Sequence, residues 1–359
     1  MIIDSHMHIF PPLYTAPGFK HPEEHRQTMQ LYISGHPQPI RRLSDHVIAP
    51  EAESRNLQGT GYEPLPSVNF RAGRYGRFEW TIDGIDYYRQ FLPPSMGTME
   101  STVDFVLQQM AYVGVDRVVL QNARVYGKLE QEFSDAVRLH PGKFIGLAGV
   151  DEPNAHTDEE RAHLRRAMLH LGLRGVYYAN RGLYRDGYRT AFDDERYEPY
   201  WSDLAELGAV VYWEIAGVPS GSPENYLTEI DRLVRWAERH PHIPALLTHG
   251  IPIQFLQGNL EEPIARLLHL PRMLIEVLYP IGIGGIYDYP YREVHPAIRT
   301  LYQHAGGHRL VWGSDMPNVE RFCTYRQSLD YLARYCTFVP PNDMDKILGG
   351  NVLQLFGEA

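Results

Sequence analysis

The sequence predicts an α/β protein, a (β/α)8 barrel with a long insertion after the first strand. Eight short apolar runs rich in β-branched or aromatic residues recur along the 359 residues, and stretches of helical periodicity separate them. Parallel strands need such crossover helices, and the crossovers share one hand. The first run ends in His-Met-His. A doubly wound open sheet, the rival fold, would place a glycine-rich phosphate turn there.

Taken in order, the strand windows are residues 2–9, 117–121, 144–150, 175–178, 209–215, 245–249, 273–278 and 309–314. Apolar residues three and four apart mark helices over 102–112, 129–139, 159–171, 197–207, 225–239, 263–268, 294–304 and 325–335. A barrel of this kind takes about 250 residues, and the excess lies in the first crossover. Residues 10–99 read as an insertion within one barrel domain, 1–359, far longer than an ordinary loop of about 2–6 residues. Its early part, 11–66, shows little periodicity. Later, residues 78–82 and 85–88 flank Asp83-Gly84, a pair suited to a type I′ hairpin turn. An insertion at the C-terminal end of a barrel strand is placed to form a lid or wall over the mouth. An arm between copies is the alternative, and a homo-oligomer, a dimer, is expected.

With 43% hydrophobic and 22% charged residues, the chain is not collagen-like, low-complexity or disordered. Lysine and arginine total 34 against 44 aspartate and glutamate, a net charge of −10 with no run of like charges. Neither nucleic acid nor an anionic membrane is therefore expected as a partner, and a small-molecule substrate is. No stretch approaches the ~18 uncharged apolar residues of a membrane helix. The opening Met-Ile-Ile-Asp lacks the basic and apolar regions of a signal peptide. Cys323 and Cys336 are too few for a disulfide framework and read as reduced thiols, so a cytoplasmic location is expected.

Chemistry concentrates at strand ends. In Asp4-Ser5-His6-Met7-His8, alternation sends His6 and His8 to the same side, where two imidazoles can meet one ion at about 2.0–2.1 Å. The last strand ends in Gly313-Ser314-Asp315, which puts a carboxylate at the mouth; taken alone, such an aspartate is a helix cap. The sixth strand ends in Thr248-His249-Gly250, where one histidine is either functional or a satisfied core residue. Glu276 interrupts the apolar run of the seventh strand: it faces the interior beside the site, or the pleat is misread.

Together these segments, with Ile347-Leu-Gly-Gly-Asn-Val-Leu-Gln-Leu-Phe near the end, resemble the amidohydrolase superfamily and its amidohydrolase-2 branch. That branch includes aminocarboxymuconate-semialdehyde decarboxylase and related decarboxylases, hydratases and hydrolases. The resemblance implies one divalent metal ion (zinc, manganese or iron) held by His6, His8 and Asp315, with His249 polarising substrate or activating water. It also implies a ligand histidine at the end of strand five, where this chain has Glu214. Glu214 then either supplies a carboxylate ligand, giving two imidazoles and two carboxylates, or supports the ion from behind.

Arg124 after the second strand and Arg181 after the fourth can grip a substrate carboxylate, or they are solvated. Tyr178 and its neighbouring aromatics line a substrate cavity or pack the barrel against its helices. The reaction expected is hydrolysis, with metal-activated water attacking a carbonyl-type carbon and His249 and Asp315 moving protons. Non-oxidative decarboxylation of an aromatic or unsaturated acid is the alternative. A hydratase or lyase, or a metal-free barrel that binds a small molecule, stands behind both.

Overall fold

A computed structural model of the chain describes residues 1–49, 57 and 65–358. The strands, in order, are β1 (Ile3–Met7), β2 (Ile40–Arg42), β3 (Arg71–Ala72), β4 (Arg77–Ile82), β5 (Ile85–Gln90), β6 (Arg117–Leu120), β7 (Phe144–Gly146), β8 (Ala148–Gly149), β9 (Gly175–Ala179), β10 (Val210–Glu214), β11 (Ala245–Leu247), β12 (Met273–Val277) and β13 (Leu310–Trp312). All strand pairs in two of the sheets are parallel. One sheet runs β1-β6-β7 and the other β13-β12-β11-β10-β9-β8. The expected strand at 144–150 divides between them at Leu147, whose N–H bonds to the carbonyl of Leu120 at 2.9 Å. At the other end, Met7 and Met316 form a parallel bridge, and the Asp315 N–H donates to the His6 carbonyl at 3.0 Å.

The helices that connect these strands lie where periodicity put them, as at Glu130–Leu139, Asp158–Leu169 and Pro223–Arg239. Side chains start several of them. Thr157, Ser222 and Thr324 each accept the backbone N–H three residues on, and Thr324 with Gln327 closes a capping box. On β10, alternation sends Trp213 toward the helix layer. There it meets Trp236 and Tyr178, ring centroids 4.8 Å away, and Trp201 at 5.5 Å.

The chain divides into two compact units, one of residues 1–7, 108–121 and 130–359, the other of 8–107 and 122–129. The second holds an antiparallel sheet in the order β2-β5-β4-β3. Its Asp83-Gly84 turn has φ of 49° and 78°, and Ile82 pairs with Ile85, the tight two-residue hairpin read from the sequence. It also contains helix α1 (Pro22–Ser34), inside the stretch that shows little periodicity. The buried stripe of α1 is His25, Met29, Gln30 and Ile33, two of them polar. His25 bonds the Val125 carbonyl at 2.9 Å, and Gln30 donates to the carbonyls of Leu57 and Pro66. Residues 122–129 join this unit partly through that bond and through Lys128, whose N–H donates to Pro17 at 3.1 Å. Among the described residues no helix is long and apolar enough to cross a membrane.

Candidate metal centre

β1, β12 and the residues that follow β1, β11 and β13 bring polar groups to one region. His6, His8 and Asp315 are buried, and one ligand atom from each lies within 4.8 Å of the others. His6 Nε2 stands 3.6 Å from Asp315 Oδ1. The other ring nitrogen, Nδ1, lies 3.0 Å from Glu276 Oε2 on β12. Two imidazoles and one carboxylate, drawn together out of water, suit a divalent ion of the zinc, manganese or iron type.

Backbone conformation aims two of these groups. His249 follows β11 with φ 61°, and Asp315 follows β13 with φ 59°. This left-handed region is uncommon for residues other than glycine, and such residues concentrate at functional sites. The ring of His249 sits 4.8 Å from that of His6. Asp315 Oδ1 accepts the Asn318 side-chain N–H at 2.7 Å. Asp4, fully buried, accepts from the backbone N–H of His6 and Ser314 and from the Tyr325 hydroxyl, and also from the Ser314 hydroxyl.

Charge within the cage is strongly biased. Burial by itself would push the His6 pKa down, but the Glu276 and Asp315 carboxylates outweigh it and raise it to about 9. Burial also opposes ionisation of Glu276. The His6 charge and hydrogen bond, helped by His249 and Ser5, nevertheless hold that carboxyl below its ordinary value. Burial lifts Asp4 to about 6 despite its hydrogen bonds. A place that favours a positive charge on His6 also suits a metal cation.

The remaining candidates fall elsewhere. Glu214 ends β10 and is buried, but it lies outside the three-residue group; its Oε2 accepts the Tyr177 hydroxyl at 2.7 Å. Tyr178, one residue further, is turned the other way into the cluster of Trp201, Trp213 and Phe192. Strand alternation allows only one of the two tyrosines to meet Glu214. Arg124 belongs to the second unit, where Nη2 lies 3.5 Å from Glu24 and the guanidinium lies over Phe19. Arg181 lies in the short 3-10 turn Asn180–Asp186 that follows β9. Sequence reasoning gave no role to Asp4, Ser5, Thr248 or Asn318. Asp4 and Ser5 stand beside His6 on a strand with no exposed position, where a polar residue must find a partner.

Parallel strands that deliver two histidines and an aspartate to one buried point define the metal-dependent class of α/β enzymes. The sequence matches the family model for amidohydrolase over residues 3–357, and the chain belongs to that family of metal-dependent enzymes. A comparison with curated protein sequences gave no match. Among solved structures, the chain is similar to a probable 2-pyrone-4,6-dicarboxylic acid hydrolase from Acinetobacter baumannii with citric acid bound. That likeness has 16% identity and a TM-score of 0.59 and covers 99% of each chain. It is also similar to 5-carboxyvanillate decarboxylase from Sphingomonas paucimobilis, with 15% identity, a TM-score of 0.54 and coverage of 74% of this chain and 86% of that one. A dihydroxybenzoic acid decarboxylase from a Polaromonas species, with bound manganese and 2-nitroresorcinol, shares 16% identity at a TM-score of 0.52 over 72% and 87%.

Proposed function

We propose that the chain hydrolyses a carbonyl-type bond, an ester or lactone, in a small and carboxylated substrate, on a closed eight-strand barrel. The observation that carries this reading is the His6–His8–Asp315 group, with His249 4.8 Å from His6. Closure is supported by the Met7–Met316 bridge and by the continuous segment that passes from β7 to β8. A divalent ion bound by His6, His8 and Asp315 supplies Lewis-acid polarisation and a lowered pKa for water.

The chain's own residues do the rest. His249 takes a proton from the attacking water at its imidazole and returns it to the leaving oxygen. Asn318 orients the Asp315 carboxylate, and Tyr177 orients Glu214. Glu214 is assigned to the substrate side rather than to the ion, since its carboxylate falls outside the three-residue group. Arg181, directly after β9, is assigned the substrate carboxylate.

Decarboxylation is the second reading, supported by the likeness to two aromatic-acid decarboxylases. Hydrolysis is preferred because Glu214 stands where the resemblance implies a ligand histidine at the end of the fifth barrel strand, a departure from the decarboxylase pattern. The test offers manganese- and zinc-loaded enzyme a panel of carboxylated lactones and aromatic esters, alongside hydroxybenzoic acids. Acid release in a pH-stat is expected from the first group. Carbon dioxide from the second group, with no acid from the first, overturns the proposal.

A further inference from the structure

Glu276 is a carboxylate buried in the middle of a strand whose other residues are all apolar. Such a group survives only if donors surround it, and four do. Its Oε1 accepts the Ser5 hydroxyl at 2.6 Å. Its Oε2 accepts the Thr248 hydroxyl at 2.9 Å and the His249 backbone N–H at 2.7 Å, and lies 3.0 Å from His6 Nδ1. The Thr248 hydroxyl in turn lies 3.4 Å from the Gln121 amide nitrogen, which donates to it. The Thr248 hydroxyl also lies 3.0 Å from His6 Nδ1, but its single proton goes to Glu276 Oε2, which leaves Nδ1 to donate. An unprotonated Nδ1 would set its lone pair against a carboxylate oxygen at 3.0 Å.

We propose that Glu276 is the positioning residue of the centre: it fixes His6 with the proton on Nδ1 and the lone pair on Nε2, and holds His249 in its left-handed turn. The inference rests on the reading of His6 as a metal ligand. A ligand histidine whose second nitrogen donates to a carboxylate is held in one tautomer and one ring orientation, and is a stronger base toward the ion. The same oxygen that takes the His6 proton takes the His249 N–H, so the two histidines share one anchor across β1 and β11.

A second, independent observation comes from the residue that follows β13. Gly313 leaves room for this carboxylate: a Cβ there would stand 2.2 Å from Glu276 Oε1 and 2.9 Å from Ser5 Oγ. A larger residue there would have to displace the Glu276 carboxylate or the Ser5 hydroxyl from the hydrogen bond they share.

The test uses the full-length chain loaded with zinc. In the wild type, nitrogen NMR of labelled histidine should show His6 with a slowly exchanging proton on Nδ1 and zinc on Nε2. Glu276→Gln keeps the volume but removes the charge, and should weaken zinc affinity by chelator competition 10–100-fold. Metal-free Tm alone, which a merely structural role would lower, does not count as support. Equal zinc affinity in Glu276→Gln, or a proton on His6 Nε2 in the wild type, overturns the proposal while leaving the metal centre in place. Wild type that takes up less than about a tenth of an equivalent of zinc overturns the metal centre itself and this inference with it. If Glu276→Gln does not fold, the wild-type spectrum decides alone.

Discussion

His249 and Asp315 hold φ near 60°, a conformation that asparagine tolerates better than most residues do. His249→Asn therefore removes the imidazole with little backbone penalty. Turnover should fall about 10²–10⁴-fold with metal content unchanged, the range for a positioned acid–base group. Its companion, Glu214→Gln, should keep both the metal and the fold while raising KM or lowering turnover. Metal analysis of the two purified variants checks both halves, and a tenfold loss of metal in Glu214→Gln would move that carboxylate onto the ion. At this scale the sequence is informative where chemistry and pleat agree. His6 and His8 are two apart, so whichever face one takes, the other shares. Tyr177 and Tyr178 are identical neighbours, and nothing in the residue types says which faces Glu214 and which faces Trp213; only the register with β10 decides.

Elements are held together by what lies between strands and helices. Trp213 on β10 and Trp236 on Pro223–Arg239 are fully buried, with ring centroids 4.8 Å apart, and Trp201 and Tyr178 complete the cluster. Trp213→Ala leaves a void that neighbouring indoles fill poorly, and should cost about 3–5 kcal/mol in urea unfolding, with the metal site's composition unchanged. A loss under about 1 kcal/mol would mean that the helix layer repacks freely. The parallel strands and their crossover helices are legible in the sequence, because those strands are short apolar runs and each crossover has an apolar stripe. Strands β2 and β3 and helix α1 are exceptions, and for α1 the burial pattern explains why. His25 and Gln30 occupy buried positions and satisfy themselves on backbone carbonyls, so the stripe is not apolar and hydrophobic periodicity misses it. Tertiary hydrogen bonding of this kind leaves no local signal.

Across the whole molecule, the proposed barrel has a junction secured by an isolated bridge rather than a ladder. Between β13 and β1 the backbone contributes the Met7–Met316 bridge and the Asp315-to-His6 hydrogen bond. Side chains reinforce it, since Asp4 on β1 accepts from Ser314 and, at 2.9 Å, from the Tyr325 hydroxyl on Tyr325–Ala333. If this junction closes the ring, removing the Tyr325 hydroxyl weakens the whole fold and loosens the metal ligands on both sides of it. Tyr325→Phe should then cost about 1.5–3 kcal/mol, the range for a hydrogen bond to a charged group. Tyr331→Phe is the control, because that hydroxyl is as deeply buried but has only neutral partners, donating to the Val277 carbonyl at 3.0 Å and accepting the Tyr279 N–H at 3.4 Å, for about 0.5–1.5 kcal/mol per bond. Hydrogen exchange separates position from magnitude. The amides of Ser314 and Asp315 should exchange faster in Tyr325→Phe and not in Tyr331→Phe. Equal losses of stability in the two variants, with unchanged exchange at Ser314 and Asp315, would leave the β1–β13 junction a local contact.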